Sequence, residues 1–312
     1  MRRGWRRWGR RIGFTVVIAV AAMTLAATGF DLATPGDSRP ATALYGGPFV
    51  RVGGTLVAYR EWGTSGSSIV LLGGAAEPSW VWRQVGPLLS AAHHHVFALD
   101  LPPFGYTQRR GPYTMAGWLA LVHGFEARLG IRRPLLVGHS LGAGVAVADA
   151  LGDPGGVSGV VLLDGDALAF GGPGWIAHLF VYPYYQALYR LLSGWDGLVE
   201  RVLRNAWGPG APLLGHNVLA EFERPFRVEG TAAAVKELAA GGIPGVTLEA
   251  LRRVAVPRAV IWGAEDTVDS LAAGRATAAA LGVRLALVPH AGHLSMLANP
   301  TAVAAAIERA GG

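Results

Sequence analysis

The residues Leu135-Leu136-Val137-Gly138-His139-Ser140-Leu141-Gly142-Ala143-Gly144 hold a serine in a Gly-x-Ser-x-Gly setting, between a short apolar run and an Ala- and Gly-rich helical pattern. A strand that turns at once into a helix around such a serine is a nucleophile elbow. A side chain at Gly138 or Gly142 would strike the neighbouring strand or helix, so the turn pushes the Ser140 hydroxyl outward. The N–H of Leu141 then opens a helix, where it can face a developing oxyanion. A hydroxyl attacks poorly unless a base takes its proton, and the base needs an acid to orient it. On an elbow of this kind the acid and then the histidine follow the serine in chain order. The apolar run 259–262 leads to a loop carrying Asp266, and the run 285–288 leads to a loop carrying His293. Asp164, Asp166 and Asp269 are alternative acids, and His290 is an alternative base. Asp269 is expected to cap the helix that begins near Ser270. His139 is read as structural, because the elbow turns it away from the serine. His93-His94-His95 is read as a solvated turn before a strand, since three chain neighbours do not converge on one ion. Neither a metal nor a cofactor is expected.

Short apolar runs and longer helical patterns must position these groups. Residues 49–52 and 56–62 read as an antiparallel pair, and 69–72, 96–99, 135–137, 157–163, 259–262 and 285–288 as buried strands. Their near-continuous Val, Ile and Leu suits a parallel sheet covered on both faces. Helices are expected over 77–91, 114–129, 141–151, 270–281 and 300–310. The alternation predicts a doubly wound, mostly parallel α/β sheet. The core is expected over 49–166 and 257–312. The interval 167–256 is too long for a loop and predicts an inserted, mainly helical cap. The cap is rich in aromatic residues, and Trp175, Tyr184 and Tyr185 are expected to line an apolar substrate pocket.

The 312-residue chain is 51% hydrophobic, enough for a large core, and has no cysteine, which excludes disulfides and a thiol nucleophile. A net charge of +6 suggests nucleic acid at first sight. Six arginines within residues 1–11 carry all of it; from residue 12 onward 21 basic and 21 acidic side chains balance. No nucleic-acid partner is expected. The basic cluster precedes Ile12–Phe30, 19 residues without a charge. As a helix that run covers roughly 28 Å, one hydrocarbon core. The arginines would hold its N-terminal end in the cytoplasm, so the expected arrangement is a single-pass anchor in the lipid bilayer with the remainder outside. A cleaved signal peptide is the alternative. Residues 31–48 read as a tether.

With Gly-His-Ser-Leu-Gly at 138–142, Trp-Gly-x-x-Asp at 262–266 and Ala-Gly-His at 291–293, the sequence resembles the α/β-hydrolase superfamily over about residues 47–310. The likeness is to its cap-bearing branch of esterase-, haloperoxidase- and epoxide-hydrolase-like members. It implies Ser140 as nucleophile, His293 as base and Asp266 as orienting acid. It puts a second oxyanion donor after the first long buried strand, at the N–H of Ala75. Here Gly73 stands where the pattern has histidine. Relatives that open epoxides or cleave haloalkanes carry aspartate at the elbow, so Ser140 implies acyl transfer on a small apolar acyl substrate, as in a carboxylesterase. A C–C bond hydrolase or cofactor-free haloperoxidase on the same triad is one alternative. A binding protein that keeps the fold without the turnover is another.

Overall fold

A computed structural model describes residues 20–34, 36–170 and 184–311. Its centre is an eight-stranded sheet in the order β1-β2-β4-β3-β5-β6-β7-β8. The strands are β1 (Phe49–Val52), β2 (Thr55–Trp62), β3 (Ser67–Leu72), β4 (His94–Leu99), β5 (Leu135–His139), β6 (Gly159–Leu163), β7 (Arg258–Gly263) and β8 (Leu285–Val288). β1 and β2 are antiparallel to their neighbours, and from β4 to β8 every pairing is parallel. The unbroken apolar runs follow from burial on both faces. Along β3, Val70 and Leu72 pack into one core with Trp118, Val122 and Phe125. Ile69 and Leu71 pack into the other with Trp82, Val85 and Leu89. With side chains alternating across a strand, both parities must then be apolar.

Two helices precede the sheet, α1 over 20–33 and α2 (Ala41–Leu44). Around the sheet lie α3 (Val85–Ala91), α4 (Met115–Leu129) and α5 (Leu141–Gly152). The helix expected over 77–91 is divided: Ser79–Trp82 forms a 3₁₀ turn ahead of α3. Pro78 precedes that turn with extended backbone, and Asp100 accepts the Ser79 N–H, which pins the turn to the end of β4.

Between β6 and β7 come α6 (Tyr184–Ser193), α7 (Asp196–Trp207), α8 (His216–Glu223), α9 (Thr231–Gly241) and α10 (Leu248–Leu251). The chain closes with α11 (Leu271–Leu281), α12 (Ser295–Ala298) and α13 (Pro300–Gly311). Ser270, not Asp269, caps α11, accepting the Ala273 N–H with its hydroxyl.

The segment read as a tether is docked rather than free. Asp31 and Ala41 are buried, Arg39 pairs with Val228, and the Tyr45 hydroxyl donates to the Tyr59 carbonyl at 2.5 Å. Its Pro- and Gly-rich composition signals an irregular path, and the aromatic stacking of Tyr45 on Tyr106 shows what holds it. Residues 12–19 of the expected anchor lie outside the described residues. Among the described residues no helix is long and apolar enough to cross a membrane.

Candidate active site

Ser140 follows β5 immediately and precedes α5, with φ 50° and ψ −119°. That backbone is costly for a residue with a side chain, and such strain persists only where the surroundings enforce it. They do so tightly. A Cβ at Gly138 would lie 2.3 Å from the Gly142 carbonyl oxygen, and one at Gly142 would lie 2.6 Å from that of Leu72. The Ser140 N–H donates to the Leu163 carbonyl at 3.0 Å, tying the elbow to the end of β6. Leu141 is the first residue of α5, so its N–H belongs to the donors that a helix leaves without an internal partner.

The His293 ring nitrogen Nδ1 lies 2.8 Å from Asp266 Oδ2, and both residues are buried. The other Asp266 oxygen accepts the N–H groups of Val268 and Asp269 at 2.8 and 3.0 Å. A carboxylate fixed by two backbone donors presents its remaining oxygen in one direction, which sets the imidazole ring and its tautomer. Ser140, Leu141, Ala75 and His293 all line one cavity of about 680 Å³. Four of the five residues that the sequence assigns to the chemistry are therefore brought together, with the fifth, Asp266, behind His293. His290 is elsewhere, with an exposed side chain 3.9 Å from Glu265. Asp164 is buried but turned to other partners: it accepts the Gly263 N–H at 2.6 Å and the hydroxyl of Ser295. Asp166 and Asp269 line the cavity, and neither is paired with His293. The side chains of His94 and His95 diverge, toward Glu308 at 3.1 Å and Glu61 at 2.7 Å.

The substrate-lining expectation for Tyr184 and Tyr185 is corrected. Neither lines the cavity at Ser140. The Tyr184 hydroxyl is 2.6 Å from Thr24 Oγ1 on α1, and that of Tyr185 donates to the Ala232 carbonyl at 2.8 Å. A phenol that leaves water keeps its hydrogen bond, and those partners hold both rings at the junction of α6 with α1 and α9. Trp175 lies outside the described residues. The cap instead supplies Val202, Leu203 and Ala206 from α7, Phe222 from α8, and Ile243 and Pro244. Their signal in the sequence was the apolar face of α7 and α8, which aromatic content alone does not reveal.

A second group was missed. Glu77, in the loop after β3, is buried beside the elbow and also borders the cavity at Ser140. One of its oxygens accepts the Gly74 N–H at 2.7 Å and lies 2.9 Å from His139 Nδ1. His139 Nε2 lies 2.8 Å from the main-chain oxygen of His293. A carboxylate and a carbonyl only accept, so His139 donates from both nitrogens and is an imidazolium. Burial alone would push its pKa down; the charge and hydrogen bond of Glu77, helped by Asp164 at 3.9 Å, overcome this and raise it to about 9. Burial would raise Glu77, but the His139 charge and the two hydrogen bonds hold it below its ordinary value. Burial raises Asp164 to about 7 against the pull of His139 and Ser295. His139 thus joins the loop of Gly74 and Glu77 to the loop of His293. The signal available was Gly73 in place of histidine with an acid four residues on.

The loop of His293 is also fastened to the cap. Gly292 N–H donates to Trp207 at 2.9 Å, and Leu294 N–H to Ala206 at 2.8 Å.

The profile of the alpha/beta hydrolase family matches residues 69–306. The chain belongs to the alpha/beta hydrolase family. Among curated relatives of this hydrolase, the uncharacterized hydrolase YugF of Bacillus subtilis is 26% identical over 227 residues, 72% of this chain and 82% of that protein. A 2-hydroxy-6-oxo-2,4-heptadienoate hydrolase of Pseudomonas putida is 33% identical over 129 residues, 40% of this chain and 46% of that protein. Among solved structures, a bacterial membrane phospholipase A has a TM-score of 0.68 at 20% identity, covering 98% of this chain and 97% of its own. The enol-lactonase of Burkholderia xenovorans has a TM-score of 0.67 at 24% identity, covering 84% and 99%. At these identities the structural likenesses establish the fold.

Proposed function

We propose that this hydrolase cleaves esters of apolar acyl chains through an acyl-enzyme on Ser140, His293 and Asp266. The observation that carries the reading is the His293–Asp266 pair at 2.8 Å on the wall of the cavity that also holds the strained Ser140. His293 takes the Ser140 proton as the oxygen attacks the ester carbonyl. The N–H groups of Leu141 and Ala75 receive the oxyanion. Collapse of the intermediate expels the alcohol, protonated by His293, and leaves the acyl group on Ser140. Water, deprotonated by His293, then releases the acid and restores the serine.

Substrate chemistry follows from the walls. Leu168, Phe170, Leu203, Phe222 and Ile243 offer apolar area, and no lysine or arginine is among the described lining residues. Glu77, Asp166 and Asp269 are there instead. A dienoate carries a carboxylate that such a pocket repels, which ranks the C–C bond hydrolase reading below a neutral acyl ester. The cell-membrane setting rests on the arginine-flanked apolar run at 12–30. In it the N-terminus is cytoplasmic and the hydrolase extracytoplasmic; a secreted form after signal cleavage is the alternative. The membrane phospholipase A that matches 98% of this chain suits the anchored reading.

The test is labelling of the full chain by a fluorophosphonate probe together with turnover of p-nitrophenyl esters. Wild type should label and turn over; Ser140→Ala should do neither, with turnover down by about 10⁴-fold or more. A folded Ser140→Ala protein with full activity would sink the mechanism, and a wild type that binds esters without turnover would favour a binding protein.

A further inference from the structure

The anchored reading meets a geometrical demand at α1. The uncharged run ends at Phe30, yet α1 is already in contact with the cap six residues earlier. Tyr184, at the start of α6, shares a hydrogen bond of 2.6 Å with Thr24. One and a half turns further along α6, Arg190 faces Asp31 at 3.7 Å and donates to the Thr34 carbonyl at 3.0 Å. The two helices therefore run side by side in the same direction, with the start of α6 level with residues that the sequence assigns to the bilayer. At 1.5 Å per residue, Thr24 is roughly 9 Å below Phe30 along α1. A cap helix held at that depth cannot stand clear of the lipid.

Its surface fits that position. Leu188, Leu191 and Leu192, at intervals of three and one residues, share one face of α6, Trp195 follows two residues past its end, and all four are 44–57% exposed. Four large apolar side chains exposed between residues 188 and 195 are costly in water. On α1, Met23, Leu25, Phe30 and Leu32 are exposed as well. The two surfaces are continuous: Phe30 of α1 and Leu191 and Trp195 beside it line a single groove of about 500 Å³. Arg190 and Arg227 border the same groove. An apolar stripe with a tryptophan at its end and arginines at its border is the composition of a surface that lies at the level of lipid headgroups.

We propose that the exposed stripe of α6, with the adjoining face of α1, beds into the interfacial layer of a phospholipid bilayer. The proposal rests on the anchored reading of residues 12–30. It goes beyond that reading by giving the cap its own lipid contact. The hydrolase would then be held against the membrane at two places rather than swinging on one helix, with its cap at the level from which acyl chains leave the bilayer.

The chain has no cysteine, so one introduced thiol is a unique label site. Full-length Leu191→Cys, Trp195→Cys and, on β8 far along the sheet, Leu287→Cys are each labelled with an environment-sensitive fluorophore. Each is reconstituted into phosphatidylcholine–phosphatidylglycerol vesicles, with and without brominated acyl chains. Co-flotation with the vesicles reads the anchor. Bromine should cut the emission of the labels at 191 and 195 about twofold or more and leave the label at 287 unchanged. Co-flotation with water-like, unquenched emission at 191 and 195 overturns the membrane contact and leaves the anchor standing. Failure to co-float overturns both. Loss of water exposure at 191 that is independent of bromine, with energy transfer between two labelled chains, overturns the proposal in favour of a second copy on this face. None of these readings depends on ester turnover, so they stand or fall apart from the catalytic assignment.

Discussion

Glu77→Gln separates the buried ion pair under the elbow from the catalytic groups above it. The variant keeps an acceptor for the Gly74 N–H and removes only the charge. His139 is then left with burial as the dominant influence, and its pKa falls from about 9 to below the ordinary 6.5. Breaking a buried pair by neutralising one partner costs about 3–5 kcal/mol. For a domain of this size that lowers Tm by about 10 °C. The pH dependence is the sharper readout. A histidine whose folded pKa is raised contributes stability that is complete below its unfolded value and is lost as pH rises through the folded one. With 6.5 unfolded and about 9 folded, the wild type should lose about 2 kcal/mol between pH 7.5 and 9.5. Asp164, raised to about 7, is already mostly ionised at the start of that window and adds only about 0.2 kcal/mol to the loss. In Glu77→Gln the window should be flat, because His139 is already neutral throughout. Glu77 itself, with a lowered pKa, gives up its contribution only as pH falls below about 4.5, outside the window. Thermal unfolding of both proteins across the range is the assay. Parallel stability–pH curves for the two proteins would refute the account of His139 as an imidazolium held by Glu77.

Other expectations follow from the same geometry. Asp266→Asn should cut ester turnover by about 10⁴-fold by reversing the tautomer of His293, whereas Asp164→Asn should act mainly on Tm; the opposite ranking in kinetics would move the acid to β6. Activity on p-nitrophenyl esters should rise up to about fourfold in kcat/KM per added methylene until the cavity is filled, and Leu203→Ala or Phe222→Ala should flatten that rise. Tyr184→Phe and Tyr185→Phe should leave the chain-length profile as it is; a flattened profile would return those rings to the pocket. Full-length protein should partition with membranes and require detergent, while a mature N-terminus found near residue 30 or 44 would establish signal cleavage.

The sheet was readable because burial on both faces leaves no alternative to continuous Val, Ile and Leu in β3 to β7, and the strand expected at 135–137 differs from β5 only at its end. The elbow was readable because Gly138 and Gly142 leave their mark in one short motif: Gly138 is required by the backbone of Gly142 and Ala143 just beyond the serine, and Gly142 by the end of the neighbouring strand at Leu72. The cap was different. Which of its rings face Ser140 depends on how α6 and α7 pack, and the sequence shows only that they are amphipathic. Tyr184 and Tyr185 satisfied every compositional criterion for a pocket and were drawn instead to Thr24 and Ala232. Glu77 escaped because its meaning lies in a pair 62 residues apart, with His139. The docked segment 31–48 escaped because its anchoring points are the side chains Asp31 and Tyr45 and backbone bonds such as Arg39 to Arg227.

The fastening of Gly292 and Leu294 to Trp207 and Ala206 makes the end of α7 a shared beam between specificity and chemistry. Two main-chain bonds, one on either side of His293, are insensitive to side-chain identity, so the cap can change its lining through Val202, Leu203 or Phe222 while the imidazole keeps its place. The same beam limits recombination. A cap exchanged from another hydrolase at the strand ends would have to bring two main-chain carbonyls to the places of those at 206 and 207, or the loop of His293 would lose its seat. Exchanges that begin after α7 should keep activity and alter substrate preference, and this chain divides more naturally there than at the boundary between sheet and cap.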